Sequence, residues 1–204
     1  MRDVIKTEEY KGHTIEIVPD NDPIDPRTEC EPQTEFHVRD SRYYLGEHKH
    51  KEGADIDAEV RKALRQGDLV FRLFVYIHSG TYLSLRSWYG RLPQGHAEFD
   101  SGQCGVVIVR RKSFLAEWGG KKWTKKLRDK AEEVAKQEVE TFTSYVNGSV
   151  YGYIIDDGED SCYGYYDDDE AMAEAKSAVD FEVKREAAAK EELVTMDETK
   201  DTEP

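Results

Sequence analysis

The apolar residues of this chain change period several times, and each change marks an element. Thr14, Ile15, Ile17 and Val18 supply the branched side chains of a first strand over residues 10–18. Pro19, Pro23 and Pro26 then deny both helix and ladder hydrogen bonds, so a loop follows. A short strand fits residues 34–38, and a polar connector with His48 and His50 fits residues 47–52. Ile56, Val60, Ala63 and Leu64 share one face of a helix over 55–66, with Asp55 as its cap and Gly67 as its stop. Residues 69–77 are the most hydrophobic stretch and read as a central strand, with a return strand over 81–85 after the Ser79-Gly80 turn. Gly90, Pro93 and Gly95 make residues 87–95 a loop, and a turn at Asp100-Ser-Gly-Gln leads into a strand over 105–109.

Helical spacing returns next. Ser113 caps a short helix over 114–118, and Thr124 caps a long one reaching about residue 146, with Leu127, Ala131, Val134, Ala135, Val139 and Phe142 on one stripe. Residues 150–155 and 162–166 form a hairpin around an acidic turn. Asp167 or Asp168 caps a last helix whose apolar face is Met172, Ala175 and Val179. Beyond about residue 186 the pattern dissolves into Ala, Glu, Lys and Thr. Strands and helices mix without βαβ regularity. The expected architecture is a single α+β domain over 1–185, a mostly antiparallel sheet with helices packed on one face, and a frayed or disordered acidic tail over 186–204.

Charge changes the picture more than composition does. The net charge is −14. Residues 1–155 hold 25 acidic against 24 basic groups, whereas residues 156–204 hold 18 against 5. Within the first part, residues 110–130 carry nine basic groups against Glu117 and Asp129. Such asymmetry marks an interaction tail or a nucleic-acid contact. No apolar run approaches the roughly 18 residues of a membrane span, and the first residues have no apolar signal core, so a cytoplasmic protein without membrane contact is expected. Cys30, Cys104 and Cys162 are too dispersed for a disulfide framework or a zinc pair and are expected as reduced thiols.

One series of motifs resembles a known family. Asp22-Pro, Pro26-Arg27, Arg42-Tyr-x-Leu-Gly46, His78-Ser-Gly80, Asp100-Ser-Gly-Gln-x-Gly105, Val139-Glu, Val150-Tyr-Gly-Tyr153 and Ser161-Cys-x-Gly164 occur in order over about residues 10–180. The series is similar to that of small bacteriophage and mobile-element proteins with no assigned activity. The resemblance implies a phage accessory protein acting in the host cell, and no mechanism. Residues 28–34 and 90–99 depart from the family pattern.

Candidate chemistry falls into four groups. Asp20, Asp22 and Asp25 carry the spacing of hard-cation ligands but lack the glycine and glutamate of a calcium loop, so turn formation is the stronger reading and no metal is expected. Among the histidines 37, 48, 50, 78 and 96, His78 stands out. It ends the central strand and can meet Asp100, Ser101 and Gln103 at one sheet end, as a small hydrolase or metal enzyme would require. The opposing reading is two polar turns, and no Gly-x-Ser-x-Gly, Walker loop or dinucleotide fingerprint supports catalysis or a cofactor. Arg110, Arg111, Lys121, Lys122, Trp123, Lys125 and Lys126 interleave cations with aromatics as nucleic-acid binders do. The alternative is a solvated helix face.

Asp156, Asp157, Glu159, Asp160, Tyr163, Tyr165, Asp167 and Asp168 form the fourth group. Carboxylates and tyrosines on a hairpin and helix can imitate the phosphate line of DNA toward a host protein, and the alternative is a solubilising tail with an edge hairpin whose tyrosines partly cover a core. The leading expectation is a non-enzymatic phage-type protein that binds a host defence or DNA-handling protein. A nucleic-acid-binding module over 110–130 comes second and an enzyme around His78 third.

Overall fold

The computed structural model describes residues 3–92 and 95–200. It is α+β, and both of its sheets are mostly antiparallel. The chain divides into two compact units. One combines Met1–Pro23 with Ser149–Pro204, and the other is the continuous stretch Ile24–Gly148. The sequence pattern predicts one domain over 1–185. In the structure the chain passes between units within the proline-rich loop and just after the Asn147-Gly148 helix end.

The unit made from both chain ends begins with a hairpin, β1 (Lys6–Tyr10) and β2 (His13–Pro19). Lys11 and Gly12 both have left-handed backbones, φ 51° and 89°, which is the two-residue turn that matches strand twist. The pattern alone suggested one strand over 10–18, because lysine stands where asparagine or aspartate normally announces such a turn. β8 (Tyr151–Ile155) and β9 (Asp160–Tyr165) form the expected acidic hairpin, giving the sheet order β1-β2-β8-β9. Ile15, Ile17, Tyr153 and Ile155 alternate onto one face. There they meet Ala171, Met172, Ala175 and Val179 of α5 (Asp168–Lys200). Asp167 caps that helix, its Oδ1 accepting the Glu170 N–H at 2.9 Å. The helix backbone continues through Lys200, past the expected fraying point, on a run of strong helix formers. Residues 201–204 lie outside the described residues.

The second unit holds β3 (Glu35–Arg39), β4 (His48–His50), α1 (Gly53–Gln66), β5 (Leu69–Ile77), β6 (Thr81–Ser84), α2 (His96–Asp100), β7 (Ser101–Val109), α3 (Arg111–Glu117) and α4 (Lys125–Val146). Its strand order is β4-β3-β7-β5-β6, with β3 and β4 parallel and the other pairs antiparallel. Val106 and Ile108 of β7 pack with Ile56 and Ala63 of α1. Val107 and Val109 pack with Phe114 and the Ala131, Val134, Val139 and Phe142 stripe of α4. Both faces of this sheet therefore carry a helix, and the unbroken Val-Val-Ile-Val run reads as a strand buried on both sides. Gly105 precedes that run because β3 crosses too closely for a side chain. A Cβ there would collide with the His37 carbonyl and come within 2.9 Å of Val38 Cα.

Several local expectations need correction. Residues 48–50, read as connector, are a strand. Residues 101–103, read as a turn, open β7, and α2 precedes them. α1 starts earlier than expected, so Asp55 sits in its first turn rather than capping it. Ser113 is likewise inside α3. Leu64 turns outward and is 60% exposed. Thr124 caps α4 as expected, accepting the Leu127 N–H at 3.2 Å.

Arg27 organises the irregular half of this unit. Its side chain is 1% exposed. Nε and Nη2 fork onto Glu47 at 3.0 and 2.7 Å, Nη1 reaches Glu138 of α4 at 2.7 Å, and Nη2 also donates to the Thr34 carbonyl at 2.6 Å. The guanidinium lies 3.8 Å from the Phe36 ring centre. Removing one partner of such a buried network strands the others. Arg27→Ala is expected to destabilise the protein by about 3–5 kcal/mol in urea unfolding. Arg27→Lys should recover little of that, because an ammonium cannot reproduce the fork.

Candidate functional site

The acidic turn between β8 and β9 is bent by two aspartates in left-handed conformations, Asp156 at φ 45° and Asp157 at φ 59°. Aspartate tolerates this region better than most residues. Asp156 then ties the turn to β2. Its carboxylate accepts the Thr14 N–H at 2.8 Å and lies 2.6 Å from His13 Nδ1. The hydrogen bond to Asp156 raises the His13 pKa above its ordinary value. The Thr14 N–H and His13 hold Asp156 below the ordinary carboxylate range.

Beside this turn a groove of about 460 Å³ opens along α5. Asp156, Glu159, Asp160, Glu182 and Glu186 line it, against Arg185 and His13. Phe181 is 69% exposed at its wall. Asp157, Glu159, Asp160, Tyr163 and Asp167 are exposed, while Asp168 and Tyr165 are partly covered. β9 is the edge of its sheet, and its residues 160–164 are all exposed. Toward β1 the acidic charge is balanced, by Lys6–Asp169, Lys11–Asp180 and Lys176–Glu8 pairs at 3.0, 2.8 and 2.7 Å. Net negative charge is thus concentrated on the turn and the groove, at the Asp160 end of β9. Comparison of the chain with protein-family models, curated proteins and solved structures finds no match.

The basic segment is differently disposed. Arg110 lies between Glu35 and Asp68, Lys125 pairs with Asp129 at 2.9 Å, and Lys130 pairs with Glu133 at 3.0 Å. Trp123 donates to the Gly67 carbonyl at 2.7 Å and packs on Phe114, so its ring serves the core. Lys122 and Lys126 are exposed, and Arg111 and Lys121 border an open groove of about 620 Å³.

The sheet brings only part of the expected catalytic cluster together. His78 Nδ1 lies 3.0 Å from Asp100 Oδ2. Ser101, however, donates its hydroxyl to the Ala97 carbonyl, and Gln103 donates its amide to the Gly105 carbonyl at 3.3 Å. A nucleophilic serine must hydrogen-bond its base, and this hydroxyl is directed to backbone instead. The loop aspartates act as turn formers. Asp20 accepts the Asp22 N–H at 3.0 Å, and Asp25 accepts the Arg27 N–H and the Tyr44 hydroxyl, each at 2.8 Å.

A cluster that motif spacing did not single out lies on β3 and β4. His37 faces His48 in the parallel register. Glu35, His37 and His48 each offer a ligand atom within 4.8 Å of the others. The signal was present as Glu35-x-His37 and His48-x-His50, two alternating pairs that share a side only if 48–50 is a strand.

The His13–Asp156 contact has a definite pH window. Protonated His13 donates to Asp156, so its stabilising effect is full below the ordinary imidazole pKa and is lost as pH rises through the raised value. Asp156 contributes above the ordinary carboxylate pKa and loses its effect as pH falls through the lowered value. Nuclear magnetic resonance titration should place His13 above a free imidazole, and Asp156→Asn should return it toward the ordinary value.

Proposed function

We propose that this protein acts by binding another protein, and that the acidic turn, β9 and the groove along α5 form the binding face. The carrying observation is that groove, where five carboxylates face one arginine and one histidine beside an exposed phenylalanine. Carboxylates supply long-range attraction and orientation, and exposed aromatics supply contact area. The partner of this reading is a basic, DNA-handling host protein whose phosphate-binding surface the carboxylates occupy. The resemblance to phage accessory proteins supports that choice by analogy, together with action in the host cytoplasm. No described helix is long and apolar enough to cross a membrane.

The basic segment is the weaker surface because three of its cations pair with carboxylates and Trp123 packs inward. A pull-down from host extract separates the two. The full chain should capture a basic DNA-binding protein, with an association rate that falls as salt rises. Replacing Asp157, Glu159, Asp160, Asp167 and Asp168 by their amides should abolish capture. Unchanged capture by the amide variant contradicts the proposal. Direct DNA binding lost on changing Lys121, Lys122, Lys125 and Lys126 would transfer the function to the basic segment.

A further inference from the structure

The β3–β4 edge carries a donor set that the acidic face does not use. Glu35 and His37 alternate onto the same side of β3, and His48 stands opposite His37 on β4. The Glu35 carboxylate oxygen Oε2 is 3.1 Å from His37 Nε2. Two donors on one tetrahedral zinc ion, each about 2.0–2.2 Å from the metal, lie roughly 3.3 Å apart, so this pair is already spaced for a shared ion. The His48 and His37 rings stack with centres 4.7 Å apart, which leaves the third donor a short approach.

The surroundings fit a ligated ion. His37 Nδ1 lies 3.0 Å from His50 Nε2, so the ring nitrogen turned away from Glu35 has a partner that fixes ring orientation. Arg110 donates to the same Oε2 of Glu35 through Nε and Nη2 and so holds the carboxylate in place, and the ion would replace the His37 hydrogen bond on that oxygen. Arg110 also faces Asp68 at 3.2 Å and Glu59 at 3.9 Å. Arg110, together with Lys62 at 3.2 Å from Glu59, stands against three carboxylates and leaves one negative charge beside the imidazoles. His48 is exposed, which gives the ion a path from solvent.

We infer that Glu35, His37 and His48 form a binding site for a divalent first-row transition ion of the zinc class, clipping β4 to β3. Two imidazoles and one carboxylate select such an ion over calcium or magnesium, which take oxygen donors. On binding, His37 shifts its proton from Nε2 to Nδ1 and His50 shifts its own from Nε2 to Nδ1, so that His50 Nε2 accepts from His37 Nδ1 and His37 Nε2 takes the metal. β4 has only three residues, so a metal bridge to β3 would fasten the shortest strand of the sheet.

The test is titration of the chelator-stripped full chain with zinc chloride, followed by calorimetry and by thermal unfolding. One zinc per chain should bind and raise the unfolding temperature by ligand linkage. His48→Ala, an exposed change that should leave the fold intact by circular dichroism, should weaken binding at least about tenfold and remove the thermal shift. Glu35→Gln should do the same, whereas the amide variants of Asp157, Glu159 and Asp160 should bind as the parent does. No stoichiometric binding by the parent chain overturns the inference. So does zinc binding that His48→Ala and Glu35→Gln leave unchanged, since the ion would then sit on surface carboxylates.

Discussion

One buried guanidinium sets the geometry of the unit over Ile24–Gly148. Arg27 has almost no contact with water, so its charge must be met inside the protein. Glu47 and Glu138 meet it, and each also binds backbone or hydroxyl groups nearby. Glu47 accepts the Phe36 N–H at 2.8 Å, and Glu138 accepts the Gln33 N–H at 2.7 Å and the Thr34 hydroxyl at 2.6 Å. The proline-rich loop, the start of β3, the approach to β4 and the middle of α4 are thereby fixed from one point. The register that sets His37 opposite His48 depends on that arrangement, because Glu47 immediately precedes β4.

The regular elements were legible because their burial follows one period. α4 and β5 match their expected spans, since a single apolar stripe or run decides each. The elements missed are those where local chemistry is unusual. A Lys-Gly turn hid the first hairpin, and β4 is three residues of His-Lys-His with no apolar signal. The division into two units was also hidden. The first and last hairpins must meet through β2 and β8 to form it, and no local pattern announces a pairing between residues 15–19 and 151–155.

The candidate sites show the same limit. The acidic hairpin was legible because charge composition survives any fold. The His78–Asp100 contact was legible from strand ends, yet the direction of the Ser101 hydroxyl depends on α2, which the glycines and proline before it concealed. The Glu35, His37 and His48 cluster required a parallel pairing, and such pairings have no short-turn signature. The Arg27 network was unreadable for a related reason, as Glu47 and Glu138 lie 20 and 111 residues away.

The account rests on a division of labour within one chain. Arg27 is buried against two carboxylates, and Arg110, Lys125 and Lys130 of the basic segment are paired, whereas the α5 groove sets five carboxylates against one arginine and one histidine. Hydrogen exchange on the complex with its captured partner tests this most directly. The account predicts slowed exchange at residues 156–170 and 178–186, with residues 110–130 unchanged. Protection confined to residues 110–130 would contradict it.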